Sequence, residues 1–346
     1  MKNIKAQGFV LLDVDVVALN NAGKTTQSNN ENAIATKSIR KNGRSYVYVS
    51  GQAWRYWWRE ALQKNAGWIM SPITNDGKIA FTSADPMKYP DDDVFGYMKA
   101  PKGSKETVTR VSPLKNSAII SAASVRPEEN FSSMTRHEGN PVPFGKQEYS
   151  AVMKGMFSLD LSMVGTFSNY DRTGFKNLSV LLREEALKNG AQEIDDPYIL
   201  DGKGNPKKLI RLDKVTRQKR ANDTIQALRT ISGGAMQTNN MADVTPKLII
   251  LATTKTGNHP FSHVVGSKGQ RDEEVVFNFD GLVEVLKDYK DTFDGSVFIG
   301  RRSGFMDEIA AQLDSLKTME GTPTVNVLSI NEAIDQYCEQ MKSQIE

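Results

Sequence analysis

Cysteine is almost absent: Cys338 is the only one in 346 residues. No disulfide and no four-cysteine zinc site can therefore form within the chain. Histidine is scarce as well, limited to His137, His259 and His263. Both scarcities suit the reducing cytoplasm. No apolar run is long. The best of them, FVLLDVDVVAL at 9–19, is interrupted by Asp13 and Asp15. It is too short and too charged for a signal peptide or a membrane span, so no membrane partner is expected. The H-E-x-x-H and G-x-S-x-G spacings do not occur. His259 and His263 are four residues apart, but Pro260 between them argues against the helix on which such a pair would share a face. Neither a metal site nor a cofactor is expected.

What remains is an ordinary globular composition, 39% apolar and 25% charged, enough for one large domain or two small ones. The charge is unevenly placed. From Asp272 to Glu346, 16 acidic residues face 6 basic ones, a net of −10; the overall +3 then leaves +13 for residues 1–271. Three clusters supply most of it. Residues 37–64 carry seven cations (Lys37, Arg40, Lys41, Arg44, Arg55, Arg59 and Lys64) against Glu60. Residues 99–126 carry six against Glu106, and 207–220 carry seven against Asp213. One such cluster is as readily a solvated surface as a binding site. Three of them beside an acidic quarter point to a nucleic-acid partner, or to self-assembly of basic and acidic faces.

Periodicity gives the element order. Residues 4–19 read as a buried strand and 44–50 as a second. Residues 50–67 read as a helix, with Ser50 as N-cap, an apolar stripe of Trp54, Trp57, Trp58, Ala61 and Leu62, and Gly67 as its stop. Residues 68–110, with four prolines, read as an irregular insertion holding at most a short hairpin. Strands are expected at 117–125 and 150–166. Between them, 126–149 is polar and rich in Gly and Pro, a long excursion from a sheet. A helix at 178–188, a loop at 195–208 and a basic helix at 214–232 ending at Gly233-Gly234 follow. A strand at 247–253 and a hairpin within 261–279 come next. The tail alternates helix 280–290, strand 296–300, helix 304–318, strand 324–329 and helix 331–343.

Four motifs invite a functional reading. ALNNAGKTT (18–26) after a strand resembles a phosphate-binding P-loop with Ala18 in the first glycine position. That chemistry needs a helix next, and QSNNENA is a poor helix start, so a loop whose Lys24 meets a phosphate is the better expectation. The helix start at Ser50, Gln52, Arg55 and Arg59 is a candidate phosphate cradle, set against an ordinary amphipathic helix with solvated arginines. The tryptophans there are expected in the core. LRTISGGAMQ (228–237) is most simply a helix C-cap, with Arg229 on the dipole; alternatively Gly233 and Gly234 let a nucleic-acid backbone pass close to Arg229 and Gln237. RVSPLKNS (110–117) places Arg110 and Lys115 around Pro113, where they can position phosphates. Lys37 and Arg40 add to the basic set, and His137 is the one plausible general base.

Taken in order, VSGQAWRYWWREAL, SPLKNSAIISAASV, YSAVMKGMFSLDLSMVGTF and IQALRTISGGAMQ…TPKLIILAT resemble the DevR-like branch of CRISPR-associated RAMP proteins. The resemblance runs over about 4–255 and more loosely through the acidic tail. It implies an α+β chain with an RRM-like (ferredoxin-like) core sheet, helices, and long palm, fingers and thumb insertions. By position the fingers match 68–110, and the thumb matches 126–149 with Arg126, Arg136 and His137 as its candidates. Residues 256–346 form an acidic α/β part packed on the core of a single domain, 1–346. The function implied is a non-catalytic, guide-RNA-binding backbone subunit of a type I Cascade complex. Its partners are crRNA, the target DNA strand, further copies of itself in a head-to-tail filament and other Cascade subunits. The expected RNA contacts are Lys24, Lys37, Arg40, Ser50, Gln52, Arg55, Arg59, Arg110, Lys115, Arg229, Gly233, Gly234 and Gln237. An endoribonuclease of the same superfamily using His137 is the first rival reading, and a P-loop nucleotidase the second.

Overall fold

The computed structural model describes residues 2–24, 32–100, 106–135, 138–172 and 174–346. Its organising feature is a twelve-stranded mixed sheet. From one edge to the other the main path runs Val325–Leu328, Val297–Arg301, Leu248–Thr254, Lys5–Val17, Val142–Asp160, Ile119–Ser121, Arg44–Val49 and Ser38–Lys41. Neighbours on this path are antiparallel except the first two, which are parallel.

The first strand is apolar almost throughout because both its faces are covered. Val10 and Leu12 join a core formed with the helices Gly51–Asn65, Lys214–Gln226 and Ile330–Gln344. Phe9 and Leu11 point the other way, into a second core with Phe261, Leu282, Ile299 and Leu313. All seven residues of Leu248–Thr254 are buried for the same reason. The tryptophan helix docks through Trp54, Trp57 and Trp58; Trp54 stacks on Trp58 at 5.5 Å, and Phe157 meets Trp58 edge-on at 5.1 Å. The acidic tail takes the expected order of elements and supplies much of the second core, its last helix joining the first, although the helix expected at 304–318 is shorter, Ala310–Ser315 between two 3-10 turns.

The described residues of the polar excursion at 126–149 form two paired strands. Glu128–Met134 pairs with the start of Val142–Asp160, from Glu128↔Glu148 to Met134↔Val142. A strand that leaves the core has water on both faces and loses its apolar alternation, which is why the sequence hides it. The second difference is at 195–208, expected as a loop. Gln192–Leu200 and Pro206–Arg211 pair there, and Thr166–Ser168 adds a third strand. The strand expected at 117–125 is shorter, Ile119–Ser121, and a separate strand, Leu114–Asn116, precedes it; both pair with Val142–Asp160.

Within 68–110 the described residues form two small antiparallel strand pairs, Thr74–Asp76 with Ile79–Phe81 and Tyr97–Lys99 with Val108–Arg110, and the helix Pro90–Phe95. They are also bolted to the 166–211 module. Asp93, fully buried, accepts from Arg110 Nη2, from Arg220 Nη1 at 2.7 Å and from Gly165 N at 2.9 Å. Arg110 Nη1 donates to Thr166 O at 3.0 Å, and Asn177 Nδ2 to Thr109 O at 2.9 Å. The two insertions thus form one body held by a charged hub. Among the described residues no helix is long and apolar enough to cross a membrane.

Candidate nucleic-acid interface

The expected arginine cradle is built, but it faces inward. Ser50 caps its helix, its Oγ accepting from Ala53 N at 3.3 Å. Arg55 donates to Leu114 O at 2.6 Å, Phe95 O at 2.7 Å, Ser112 Oγ at 2.9 Å and Asn116 Oδ1 at 3.2 Å. Burial, with Arg59 beside it, pushes Arg55 down to about 10. Arg59 lies over the Phe95 ring at 4.2 Å and is also lowered by burial, opposed by Asp91 and Asp92. Arg110 is 2% exposed and saturated by the Asp93 hub. Arg55 and Arg59 brace the first insertion against the helix, and Arg110 ties that insertion to residues 163–177.

The glycine turn is likewise structural. The basic helix closes in a 3-10 turn at Ala227–Arg229, before the glycines. A Cβ on Gly233 would enter the Trp57 ring, and Gly234 has φ +119° beside Leu19, a conformation glycine adopts freely. Arg229 is paired with Asp335 at 2.7 Å, and Gln237 closes a loop by bonding both backbone groups of Ala242. Lys24 ends the strand Asn21–Lys24, which pairs with Ile34–Thr36; the P-loop resemblance is a β-ribbon here. Lys37 is half-buried, whereas Arg40, Gln52, Lys115 and Arg126 are exposed. Arg136 and His137 lie outside the described residues.

The structure brings together a different set. On the sheet face opposite the tryptophan helix, the second core stops short of the basic edge. A groove of about 660 Å³ remains between the strand Ser38–Lys41 and the hairpin Val265–Lys268/Glu274–Phe277. Residues directly opposite in an antiparallel ladder share a face. The registers Ile120↔Lys154 and Ile39↔Tyr46 therefore put Lys154, Ile120, Ile39 and Tyr46 around one floor, joined by Ala122. Arg40 and Lys41 stand at the rim, and His263 on the opposite wall.

The electrostatics of this groove are unbalanced. Lys154 Nζ donates to Val265 O at 2.8 Å and, more weakly, to Ser262 O at 3.4 Å. Burial, with Lys41 nearby, lowers its pKa. Asp272, the acid in the lining, is taken by Arg44 at 3.3 Å. Among the described residues no carboxylate lies within ion-pair distance of Arg40, Lys41 or Lys154. Three cations without a counter-charge, one of them half-buried, favour an anion supplied from outside. Only Arg40 of this set was expected from sequence. The available signal for the rest was Lys154 itself, a lysine within the apolar strand segment AVMKGMF.

The hairpin arm leaves the same sheet through the strand that carries Lys154. It exposes Phe131 (67%), Met134 (57%) and Val142 (43%) toward its tip. Ile34–Thr36 flanks the arm, with Thr36 N donating to Gln147 Oε1 at 3.1 Å.

The fold has solved counterparts. It is similar to a chain titled "CRISPR RNA-guided surveillance complex", with a TM-score of 0.51 and 10% identity over 97% of this chain and 99% of that one. A second, titled "CRISPR RNA-guided surveillance complex, pre-nicking", has a TM-score of 0.55 and 10% identity over 97% and 100%. Sequence comparison with curated proteins gives no match. The family model described as "CRISPR-associated negative auto-regulator DevR/Csa2" matches residues 10–274, and the chain belongs to that family.

Proposed function

We propose that this protein is a non-catalytic, guide-RNA-binding backbone subunit of a type I CRISPR interference complex in the cytoplasm. It polymerises along crRNA and, beside other Cascade subunits, supports hybridisation of the target DNA strand. The groove of unpaired cations on the open sheet face carries this reading. An open, one-sided groove suits a polyanion that runs through it, whereas a small ligand needs enclosure. Strand order supports an RRM-like core: Leu248–Thr254, Lys5–Val17, Val142–Asp160 and Ile119–Ser121 lie side by side, with the tryptophan helix and the basic helix as the two crossovers. The hairpin 128–148 takes the thumb role, and the body joining 68–110 to 166–211 takes the fingers role. In such a complex base pairing reads sequence while protein holds backbone and shape.

Mass photometry of the protein on a ladder of RNA lengths tests the reading. Copy number should rise with RNA length. A fixed stoichiometry at every length, or cleavage of the RNA by the purified protein, would overturn it.

A further inference from the structure

The arm turns away from the core at Glu148. Along the strand Val142–Asp160 the last pair with the first strand is Val17↔Tyr149, reached through a register shift after Val14, and such a bulge re-aims the strand that carries it. Glu148 is the next residue out and pairs with Glu128 of the arm. Its carboxylate is buried and collects three donors: Lys146 Nζ at 2.7 Å, Asn130 Nδ2 of the outer strand at 2.8 Å and Asn240 Nδ2 at 3.2 Å. Burial alone would raise its pKa, but these bonds hold it below the ordinary carboxylate range. Asn240 is the donor that comes from outside the arm.

Asn240 sits on a strained loop. The loop follows the glycine turn, where Ala235 N donates to Leu19 O at 3.0 Å. Met236 and Met241 bracket the short helix Gln237–Asn240, and both are left-handed, with φ 59° and 47°. In the bulge Val16 is left-handed too, φ 47°, its N donating to Ser150 Oγ at 3.0 Å. That conformation is costly for a side chain, most of all a β-branched one. Of the seven described non-glycine residues with positive φ, three thus lie at the root of the arm, so the strain is local to it. Asn21 Oδ1 and Thr36 Oγ1, on paired residues of the flanking ribbon, are buried without a hydrogen-bond partner among the described residues.

A hydrogen bond to a carboxylate and a pair of left-handed residues are comparable in size and opposite in sign. The held and released forms of the loop therefore lie close in free energy, the condition for a two-position element. We infer that the loop 236–242 is a strained catch on the arm: Asn240 on Glu148 holds the arm in the position seen here, and loss of that bond relaxes the loop and lets the arm turn about the bulge at Val14–Val17. The flanking ribbon, which bonds the arm through Thr36 N and Gln147 Oε1, turns with it. The catch is a property of the protein alone. It goes beyond the proposed function and is tested without RNA.

The test measures arm-to-core distances by pulsed electron spin resonance on the full chain. Spin labels go on Ser133→Cys in the arm and Gln63→Cys on the tryptophan helix, both exposed positions, while the native Cys338 is buried. A second pair, Gln63→Cys with Lys290→Cys, reports on the core, and melting curves confirm that each variant is folded. Asn240→Ala should raise the ratio of displaced to held arm roughly tenfold, the loss of one hydrogen bond to a charged acceptor. Asn240→Asp, which sets a carboxylate against Glu148, should displace the arm further. Met236→Gly with Met241→Gly relieves the strain and keeps the bond, so it should narrow the arm distances below those of the unmodified protein. Arm distances in Asn240→Ala and Asn240→Asp identical to the unmodified protein overturn the catch. A glycine pair that broadens them removes strain as the driving force and overturns it as well. A shift of the core pair along with the arm shows general loosening and has the same consequence. None of these results bears on copy number along RNA, so the catch and the proposed function fail separately.

Discussion

Arg55 and Arg59 have the residue type and spacing of a phosphate cradle, yet their guanidinium groups are spent inside the protein. Arg55 donates to two backbone carbonyls and two side chains in a half-buried pocket, and Phe95 O is among the acceptors it satisfies. Arg55→Ala should cost about 2–3 kcal/mol of stability by urea denaturation, since unpaired buried acceptors carry their full desolvation penalty. The salt slope of RNA binding should stay within error of the unmodified protein. Asp93 is the more extreme case. Asp93→Ala strands Arg110 and Arg220, both nearly inaccessible, and should cost about 3–5 kcal/mol. His259 supplies a pH handle. Its Nε2 donates to Gly8 O at 2.9 Å and its Nδ1 accepts from Phe261 N, so the buried ring is neutral and its pKa lies below the ordinary 6.5. The unfolded chain takes up a proton there before the folded one does. Stability should be full above about pH 6.5 and fall as pH drops toward the folded-state pKa, by at most about 1.4 kcal/mol per pH unit. His259→Gln should flatten that part of a stability–pH profile measured by denaturant titration.

At the scale of elements, the hairpin arm is separable and the insertions are not. The outer strand of the arm is exposed almost throughout, while the inner strand is covered between Phe144 and Glu148 by residues 33–36, and the outer strand adds polar bonds such as Asn130 Nδ2 to Glu148 Oε2 at 2.8 Å. Replacing 129–145 by a short Gly/Ser turn should leave a single cooperative thermal transition. Guide binding should largely survive, and stable target hybridisation, followed by gel shift with a complementary strand, should be lost. An aggregated product, or hybridisation at the unmodified level, would remove the arm from the proposed thumb role. Excising 68–110 should instead unfold the protein, because the Asp93 hub and the Arg55 donors lose their partners together.

Across the whole molecule, charge is laid out along the sheet. The acidic tail forms the edge at Val325–Leu328, and the basic segment around Ser38–Lys41 forms the other. A chain with opposite charges at its two ends attracts copies head to tail, and a heterologous contact that does not close gives a filament. RNA raises local concentration along the same line. Without RNA, at physiological salt, mass photometry should show monomer or weak polydispersity. Rods formed on long RNA should dissolve at high salt, as screened ion pairs require.

Most elements of the core and the tail are legible in the amino-acid order, because their apolar positions repeat with the period of the helix or strand that buries them. The tryptophan helix, the first strand and the alternating tail all carry that signal. The arm and the 192–211 hairpin do not: the outer strand of the arm is wet on both faces, and the hairpin buries only a few apolar residues such as Leu209 and Ile210, too few for a period to show. The chemistry of the candidate site divides in the same way. Sequence determines which residues are charged, and so the segregation of basic body from acidic tail. It cannot say which cations already have partners. Asp93 lies 17 residues from Arg110 and 127 from Arg220, and Lys154, Ile120 and Lys41 come together only once four strands lie side by side. A local string holds no information on such distances. Whether an arginine is a strut or a free contact was therefore decided by tertiary packing alone, where desolvation and pairing are settled.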